Sequence, residues 1–311
     1  MSTLRRATQT GFFALFIAAP PLDLLRIDLL AGHLILFGEP WHLGISADSS
    51  PAALALTIAL YFLLPLLGFV VTGIVIAWRY GRLYCGWLCP HYSVVELINA
   101  LLRRAIGRLS IWDRAPLPEQ QCDGSAITPQ PRFKLITVLV ALSMAALWAV
   151  VLLTYLLPPS LIYANLLTLD FSANQWRFLA VATILFTIDF LLARHLFCRF
   201  GCAVGVAQSL IWMGNRRALV VGFDSRRAKL CQTCDNSCEH ACPMRLKPRT
   251  IKRAMFTCTQ CRRCIESCEK VQQQSGEASL LQWVTAADAE QVARLAPRLQ
   301  PPPPHRQESN K

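Results

Sequence analysis

Cysteine is the residue type in this chain whose spacing carries the most chemical information. The 311 residues include thirteen cysteines, and eight of them form two tight runs, "CQTCDNSCEHACP" and "CTQCRRCIESCE". Cysteines clustered in this way are typical of metal ligation. The two runs comprise Cys231, Cys234, Cys238 and Cys242, followed by Cys258, Cys261, Cys264 and Cys268.

The spacing within the second run predicts iron–sulfur chemistry. C-x2-C-x2-C-x3-C is the run of bacterial two-cluster ferredoxins, whose fourth cysteine binds the other cluster of the pair. The first run has one additional residue before its third cysteine, and the second run is followed by Glu269 where proline is usual. We predict two [4Fe–4S] clusters with exchanged fourth ligands. Cluster 1 is assigned Cys231, Cys234, Cys238 and Cys268, and cluster 2 is assigned Cys258, Cys261, Cys264 and Cys242.

Zinc is the alternative metal for these eight cysteines, because paired C-x2-C motifs also build tetrahedral zinc sites. Zinc ribbons need only cysteine pairs, whereas each run here contains four cysteines, so iron–sulfur clusters are favoured. Structural disulfides are disfavoured, since the distribution of basic residues assigns all the cysteines to the cytoplasm, where thiols are kept reduced.

Two further cysteine pairs follow predicted membrane helices. Cys85 and Cys89 lie in "RLYCGWLCPHY", and Cys198 and Cys202 lie in "FCRFGCAVG". Cysteines four residues apart share a helical face or a short loop, so we predict that the four thiols converge on one site at the membrane face. A third cluster, a soft-metal site such as Cu(I), a redox dithiol and simple packing stay open. Cys122, alone in a polar loop, is predicted to be a spectator.

The composition predicts a membrane protein. Hydrophobic residues make up 54% of the chain and the mean hydropathy is +0.37, which is too apolar for a typical soluble domain. The net charge of +12 does not require nucleic acid, because excess Lys and Arg in a membrane protein marks cytoplasmic loops. No nucleic-acid partner is predicted. We predict four membrane spans over about residues 11–27, 52–78, 135–157 and 178–197.

The basic residues also set the predicted orientation. They are concentrated before span one, between spans two and three, and after span four, and such segments stay in the cytoplasm. The chain is therefore predicted to lie in a bacterial inner membrane with both termini and the cysteine runs in the cytoplasm. Pro20 and Pro21 interrupt span one, and Asp189 in span four should face protein or water.

The predicted fold is an α-helical membrane protein that carries a small α+β, two-cluster ferredoxin-like domain. Residues 1–214 form the membrane domain, including an amphipathic helix near 92–109 that should lie in the cytoplasmic interface. Residues 215–275 form the ferredoxin-like domain. Residues 276–311, which contain a run of four prolines, form a tail expected to be disordered at its end.

The arrangement of these motifs resembles the membrane-anchored polyferredoxins, the group that includes the NapH, NosR and CcoG (FixG, RdxA) proteins. The resemblance rests on "GRLYCGWLCP", "CRFGC" and the two four-cysteine runs, and covers roughly residues 5–275. It implies two [4Fe–4S] clusters on the runs and a redox role for the membrane-face cysteines. NapH-like and NosR-like members are associated with electron transfer from quinol or the cytoplasm towards periplasmic reductases. CcoG-like members are associated with cytochrome oxidase assembly through copper reduction.

We therefore predict a membrane-bound electron-transfer protein in which the chemistry belongs to bound metal. Electrons would pass between the ferredoxin-like domain and the membrane-face cysteines, towards a membrane or periplasmic redox partner such as a quinol-linked reductase. One alternative is an assembly factor that handles copper for a cytochrome oxidase, and a second is a zinc-stabilised regulatory membrane protein. A third metal centre, iron–sulfur or copper, is the corresponding hypothesis for the membrane-face site.

Overall fold

The structure is a computed structural model that describes residues 3–41, 50–113, 115–232, 234–249 and 257–288. Helices dominate these ranges, and short strands are confined to two small sheets. The helices are α1 (Thr3–Ala18), α2 (Pro51–Ile58), α3 (Leu64–Tyr80), α4 (Leu83–Trp87), α5 (Pro90–Ile106), α6 (Arg132–Thr154), α7 (Pro159–Thr168), α8 (Ala173–Ile188), α9 (Ala203–Met213), α10 (Ser237–His240) and α11 (Arg263–Gln273). The strands are β1 (Leu25–Asp28), β2 (His33–Leu36), β3 (Glu39–Trp41), β4 (Leu219–Phe223) and β5 (Leu281–Thr285).

Within the described ranges, three helical stretches are long and apolar enough to cross a membrane. They are Pro51–Tyr80, Arg132–Thr154 and Ala173–Ala193, and they coincide with the second, third and fourth predicted spans. The first of them joins α2 to α3 through the π-helical turn Ala59–Leu63, and no residue of its most apolar window is buried against protein. An apolar helix without a protein cover is typical of a lipid-facing span.

The predicted first span is not a continuous helix. α1 ends at Ala18 after 16 residues, and a turn that contains Pro20 and Pro21 leads into β1 of the antiparallel sheet β1–β2–β3. Proline lacks a backbone N–H and disfavours helical conformation in the residue before it, so this pair of prolines ends the helix. The predicted count of four spans is therefore not confirmed.

The helix predicted near residues 92–109 is α5. Pro90 occupies its first turn and Gly107 ends it in the left-handed conformation with φ of 65°, which are the usual preferences at the two helix ends. Its apolar face, with Val94 and Ile98, packs against Ala145 of α6 and the buried residues around it, and α1 packs against α5 as well. α5 therefore ties the membrane helices to the elements that carry cysteines.

The segment predicted to form a ferredoxin-like domain, here called the ferredoxin-like unit, contains α10, α11 and a two-stranded sheet. β4 pairs antiparallel with β5 over five residues, from Leu219 opposite Thr285 to Phe223 opposite Leu281, and the side chains of both strands pack against α11. β5 lies beyond residue 275, inside the segment predicted as a tail, so the ordered unit extends further along the chain than predicted. The proline run lies outside the described residues.

Candidate metal centres

The first cysteine quartet surrounds one small cavity. Cys268, which belongs to the second run, lies on α11 across from the first run and lines the same cavity. Cys238 and Cys268 belong to one buried cluster, and Cys231 packs against it. Arg249 also lines this cavity and donates hydrogen bonds to Glu239 and Asn236. The residues that share the cavity with it are Cys231, Cys234, Cys238 and Cys268.

The second quartet contains the fourth cysteine of the first run. Cys242 belongs to a buried cluster against which Cys258 packs. The loop between Cys258 and α11 holds two non-glycine residues in the left-handed region, Gln260 with φ of 53° and Arg262 with φ of 65°. This uncommon backbone turns the chain around the cysteines.

Backbone N–H groups point at sulfur atoms in the second quartet. The amide of Gln260 donates to Sγ of Cys258 over 3.3 Å, and the amide of Leu246 donates to Sγ of Cys242 over 3.4 Å. Hydrogen bonds to sulfur stabilise thiolate ligands and tune the reduction potential of an iron–sulfur cluster. The quartet therefore has the surroundings of a thiolate-ligated centre.

The structure brings the four membrane-face cysteines together. Cys85 lies in α4, Cys89 immediately precedes α5, Cys198 lies in the π-helical turn Phe197–Gly201, and Cys202 precedes α9. The guanidinium of Arg82 contacts both Cys85 and Cys198, and Cys89 packs on the buried cluster that contains Cys198. The segments that follow two different membrane helices thus supply neighbouring thiols.

A buried arginine lies against this group. Arg82 is only 1% exposed, and its guanidinium donates to the carbonyl oxygen of Cys198 over 2.6 Å, to that of Thr257 over 3.1 Å, and to Sγ of Cys85 over 3.8 Å. No carboxylate pairs with Arg82 among the described residues. A buried positive charge is costly without an anionic partner, and thiolates at Cys85 and its neighbours would provide one.

The membrane-face cysteines also contact the second quartet. Cys89 and Cys258 pack on a buried cluster that contains Cys198, Cys242 and Tyr92. The hydroxyl of Tyr92 lies 3.0 Å from that of Thr259 in the loop after Cys258. The two cysteine groups are therefore joined by direct packing.

Burial acts in the same direction on three of these thiols. It raises the pKa of Cys242 to about 12 and that of Cys89 to about 11, and it raises the pKa of Cys258 further. A thiol with a raised pKa keeps its proton at neutral pH. Metal binding at these positions must displace those protons, and this requires a cationic centre close to several sulfurs.

Two contacts were not apparent from the sequence. Cys122, predicted to be a spectator, forms with Cys234 and Asp235 the only group of three metal-ligating side chains within 4.8 Å of one another in the described chain. Nε2 of His91 lies 3.1 Å from Oδ2 of Asp189, so this carboxylate faces protein, as predicted. Both contacts join residues that are far apart in sequence, and a single amino-acid sequence does not indicate which distant residues will meet.

Comparison with known proteins gives one family match. The family described as a 4Fe-4S binding domain matches residues 54–108, a range that includes Cys85 and Cys89 and lies outside both four-cysteine runs. No solved structure matches the chain significantly.

Several characterised or named proteins are similar to the chain. It is 26% identical to the ferredoxin-type protein NapH of Haemophilus influenzae over 86% of both chains. It is 28% identical to the regulatory protein NosR of Pseudomonas aeruginosa over 51% of this chain and 20% of NosR. It is 26% identical to YccM of Escherichia coli (strain K12), provisionally named an electron transport protein, over 64% of this chain and about half (52%) of YccM. Together with the 4Fe-4S domain match, these relatives confirm the resemblance of the chain to the membrane polyferredoxin family.

Proposed function

We propose that the chain is a membrane-bound iron–sulfur electron-transfer protein. In this proposal, electrons pass between the ferredoxin-like unit and the membrane-face cysteine site, towards a membrane or periplasmic redox partner. The observation that carries the proposal is the packing of Cys89 and Cys198 with Cys242 and Cys258 in one buried cluster. Electron transfer needs such close approach between centres, and the names of the ferredoxin-type relatives support the same function.

The eight cysteines of the runs are the proposed ligands of two [4Fe–4S] clusters, which supply one-electron transfer when bound. Support for iron over zinc comes from the spacing of the cysteines within the second run, C-x2-C-x2-C-x3-C, which is that of two-cluster ferredoxins. The similarity of the chain to ferredoxin-type proteins supports the same assignment. The ligand sets are Cys231, Cys234, Cys238 and Cys268, and Cys258, Cys261, Cys264 and Cys242.

The membrane-face cysteines are the proposed ligands of a third iron–sulfur centre. Two observations support it: the 4Fe-4S family match covers Cys85 and Cys89, and the buried guanidinium of Arg82 lies against Cys85 and Cys198. A thiolate-ligated cluster carries negative charge, which this arginine would balance.

The proposed orientation places the cysteine sites and both termini on the cytoplasmic side of a bacterial inner membrane. The reason is that segments rich in Lys and Arg stay in the cytoplasm.

Metal analysis of one variant tests the third centre. The four membrane-face cysteines are replaced by serine, and the control is the unmodified protein. Anaerobically purified protein with three [4Fe–4S] clusters contains about 12 irons per chain. We expect about 8 in the quadruple variant and about 12 in the unmodified protein, with iron and copper measured by mass spectrometry.

The other possible results of the metal analysis would each support a different function. Loss of copper with iron unchanged would favour the copper-handling assembly factor, and an unchanged content of both metals would leave a redox dithiol. Zinc without iron in the unmodified protein would refute the proposal as a whole. The electron-transfer step is tested in proteoliposomes by EPR: a quinol analogue or dithionite should reduce the clusters reversibly, and clusters that no donor reduces would contradict the proposed role.

A further inference from the structure

A basic cavity lies beside the second quartet. Its volume is about 550 Å³, and it is bounded by α5, by Leu109, by residues between 125 and 130, by the first turn of α6 and by the segment around Cys242. This volume is within the range of small-molecule sites. Five arginines line it: Arg103, Arg104, Arg132, Arg245 and Arg263.

Nearby carboxylates neutralise only part of this charge. Arg245 pairs with Asp113 over 2.6 Å, and Arg263 lies 3.4 Å from Glu96. The carboxylate of Glu96 already accepts two hydrogen bonds from Arg5. Asp113 and Glu96 therefore pair with other arginines. They do not neutralise the remaining three of the cavity, which are Arg103, Arg104 and Arg132.

The other three arginines have neutral partners. Arg103 donates to the hydroxyl of Ser125 over 3.1 Å, and the guanidinium groups of Arg104 and Arg132 lie 5.9 Å and 5.5 Å from the centre of the Phe133 ring. None of the three has a carboxylate within 4.0 Å in the described part of the chain. Three planar cations held at one cavity form a site for an anion that accepts several hydrogen bonds, as phosphate does.

Two polar atoms of the cavity wall lack partners. Nδ1 of His240 and Oδ1 of Asn99 are both buried and have no hydrogen-bond partner among the described residues. Burial lowers the pKa of Arg103, while the charge of Asp123 acts in the opposite direction. The cavity therefore offers unsatisfied polar atoms together with arginines that no carboxylate within 4.0 Å neutralises, and an anion that also carries hydroxyl groups would satisfy both.

The position of the cavity indicates the source of such an anion. Arg132 and Phe133 are the first residues of α6, a helix that is long and apolar enough to cross a membrane. The ends of such helices lie at the depth of the lipid headgroups, and basic pockets there bind anionic headgroups. The cavity is thus within reach of the membrane surface.

We propose that this cavity binds the phosphate group of an anionic phospholipid, held by Arg103, Arg104 and Arg132. A soluble phosphate ester offers the same chemistry, and the two sources differ in the acyl chains that anchor the lipid. Binding here is independent of whether the cysteines hold iron, so its failure would leave the proposed electron-transfer function untouched.

The test uses the full-length protein in a neutral detergent. Thermal stability and bound mass by native mass spectrometry are followed during titration with dioleoylphosphatidylglycerol, with dioleoylphosphatidylcholine, and separately with glycerol 3-phosphate and inorganic phosphate. The variants are Arg103→Gln and Arg132→Gln. The control is Arg79→Gln, since Arg79 is also an exposed arginine beside an aromatic ring at the end of a membrane helix, 5.7 Å from the Tyr80 ring, and does not line the cavity.

We expect phosphatidylglycerol to raise the melting temperature and to bind at a ratio of one per chain, while phosphatidylcholine does not. The Arg132→Gln variant should bind phosphatidylglycerol about tenfold more weakly, because a hydrogen bond to a charged group is lost, and Arg79→Gln should bind it normally. Saturation by glycerol 3-phosphate or inorganic phosphate alone, with the same dependence on the arginines, would support the phosphate site and identify a soluble source. Equal binding by all variants, or no binding of any phosphate, would overturn the proposal.

Discussion

A Cβ atom on Gly86 would lie 1.9 Å from the carbonyl oxygen of Thr259. Gly86 lies between the two cysteines of "CGWLC", and Thr259 follows Cys258 in the second four-cysteine run. The backbone of Gly86 therefore contacts the backbone of Thr259 at the place where the membrane-face site meets the ferredoxin-like unit. Only glycine permits an approach this close. This contact sets the separation of the two proposed redox centres.

Replacing Gly86 by alanine should force these loops apart. We expect the Gly86→Ala variant to lose about 1–3 kcal/mol of stability, as other overpacked sites do, and to show slower electron exchange between the membrane-face centre and cluster 2. Thermal unfolding in detergent and freeze-quench EPR measure the two effects. Gly68→Ala is the control, since a Cβ atom on Gly68 meets nothing within 4 Å. Equal melting temperatures and equal rates in the two variants would show that the contact has no such role.

Arg82 should raise the reduction potential of the membrane-face centre. Its buried charge favours the reduced, more negative form of a cluster bound by Cys85 and Cys198. A unit charge about 8 Å away at an effective dielectric constant of about 20 contributes roughly 2 kcal/mol, or about 90 mV for a one-electron couple. The Arg82→Gln variant should therefore titrate at a lower potential in EPR-monitored redox titrations.

The matched variant for this prediction is Arg82→Lys, which keeps the charge but loses the forked geometry of the guanidinium. It should recover most of the potential even if its stability falls. If the glutamine and lysine variants shift the potential by the same amount, the effect of Arg82 is structural and the charge argument fails.

The exchange of fourth ligands predicts which cysteine substitutions share a phenotype. Cys268 lines the cavity of the first run, so Cys268→Ser and Cys231→Ser should remove the same EPR signal and about four irons. Cys242→Ser and Cys258→Ser should remove the other signal. If Cys268→Ser instead removes the signal that depends on Cys258, each run binds its own cluster and the exchanged assignment is wrong.

The sequence was most informative where local spacing fixes chemistry. The membrane helices that contain residues 52–78 and 135–154 follow from uninterrupted apolar runs, because hydropathy depends on composition alone. The convergence of Cys85 and Cys198 was predicted from matched spacing at equivalent helix ends, and the structure brings them together. Such features need no knowledge of the tertiary fold.

Features that depend on distant partners could not be predicted. β5 lies in the segment that was assigned to a tail because it ends in the proline run, and its pairing with β4 forms across more than fifty intervening residues. The burial of Arg82 and the position of Cys122 beside Asp235 likewise depend on long-range packing. The interruption of the first span was visible as Pro20 and Pro21, but the sheet that follows was not.

The ion pair between Arg5 and Glu96 should be a major contribution to the stability of the membrane domain. Nη2 of Arg5 donates to both carboxylate oxygens over 2.9 and 2.8 Å, Gln9 donates to the same group, and the two charged residues are 1% and 8% exposed. Glu96→Gln would remove the carboxylate that faces the buried Arg5 guanidinium, and breaking a buried ion pair typically costs about 3–5 kcal/mol, so the melting temperature in detergent should fall by several degrees. Glu269→Gln is the control, because its exposed pair with Arg262 over 3.1 Å is worth about 0–1 kcal/mol. Equal melting temperatures for the two variants would mean that α1 does not depend on this pair for its attachment to α5.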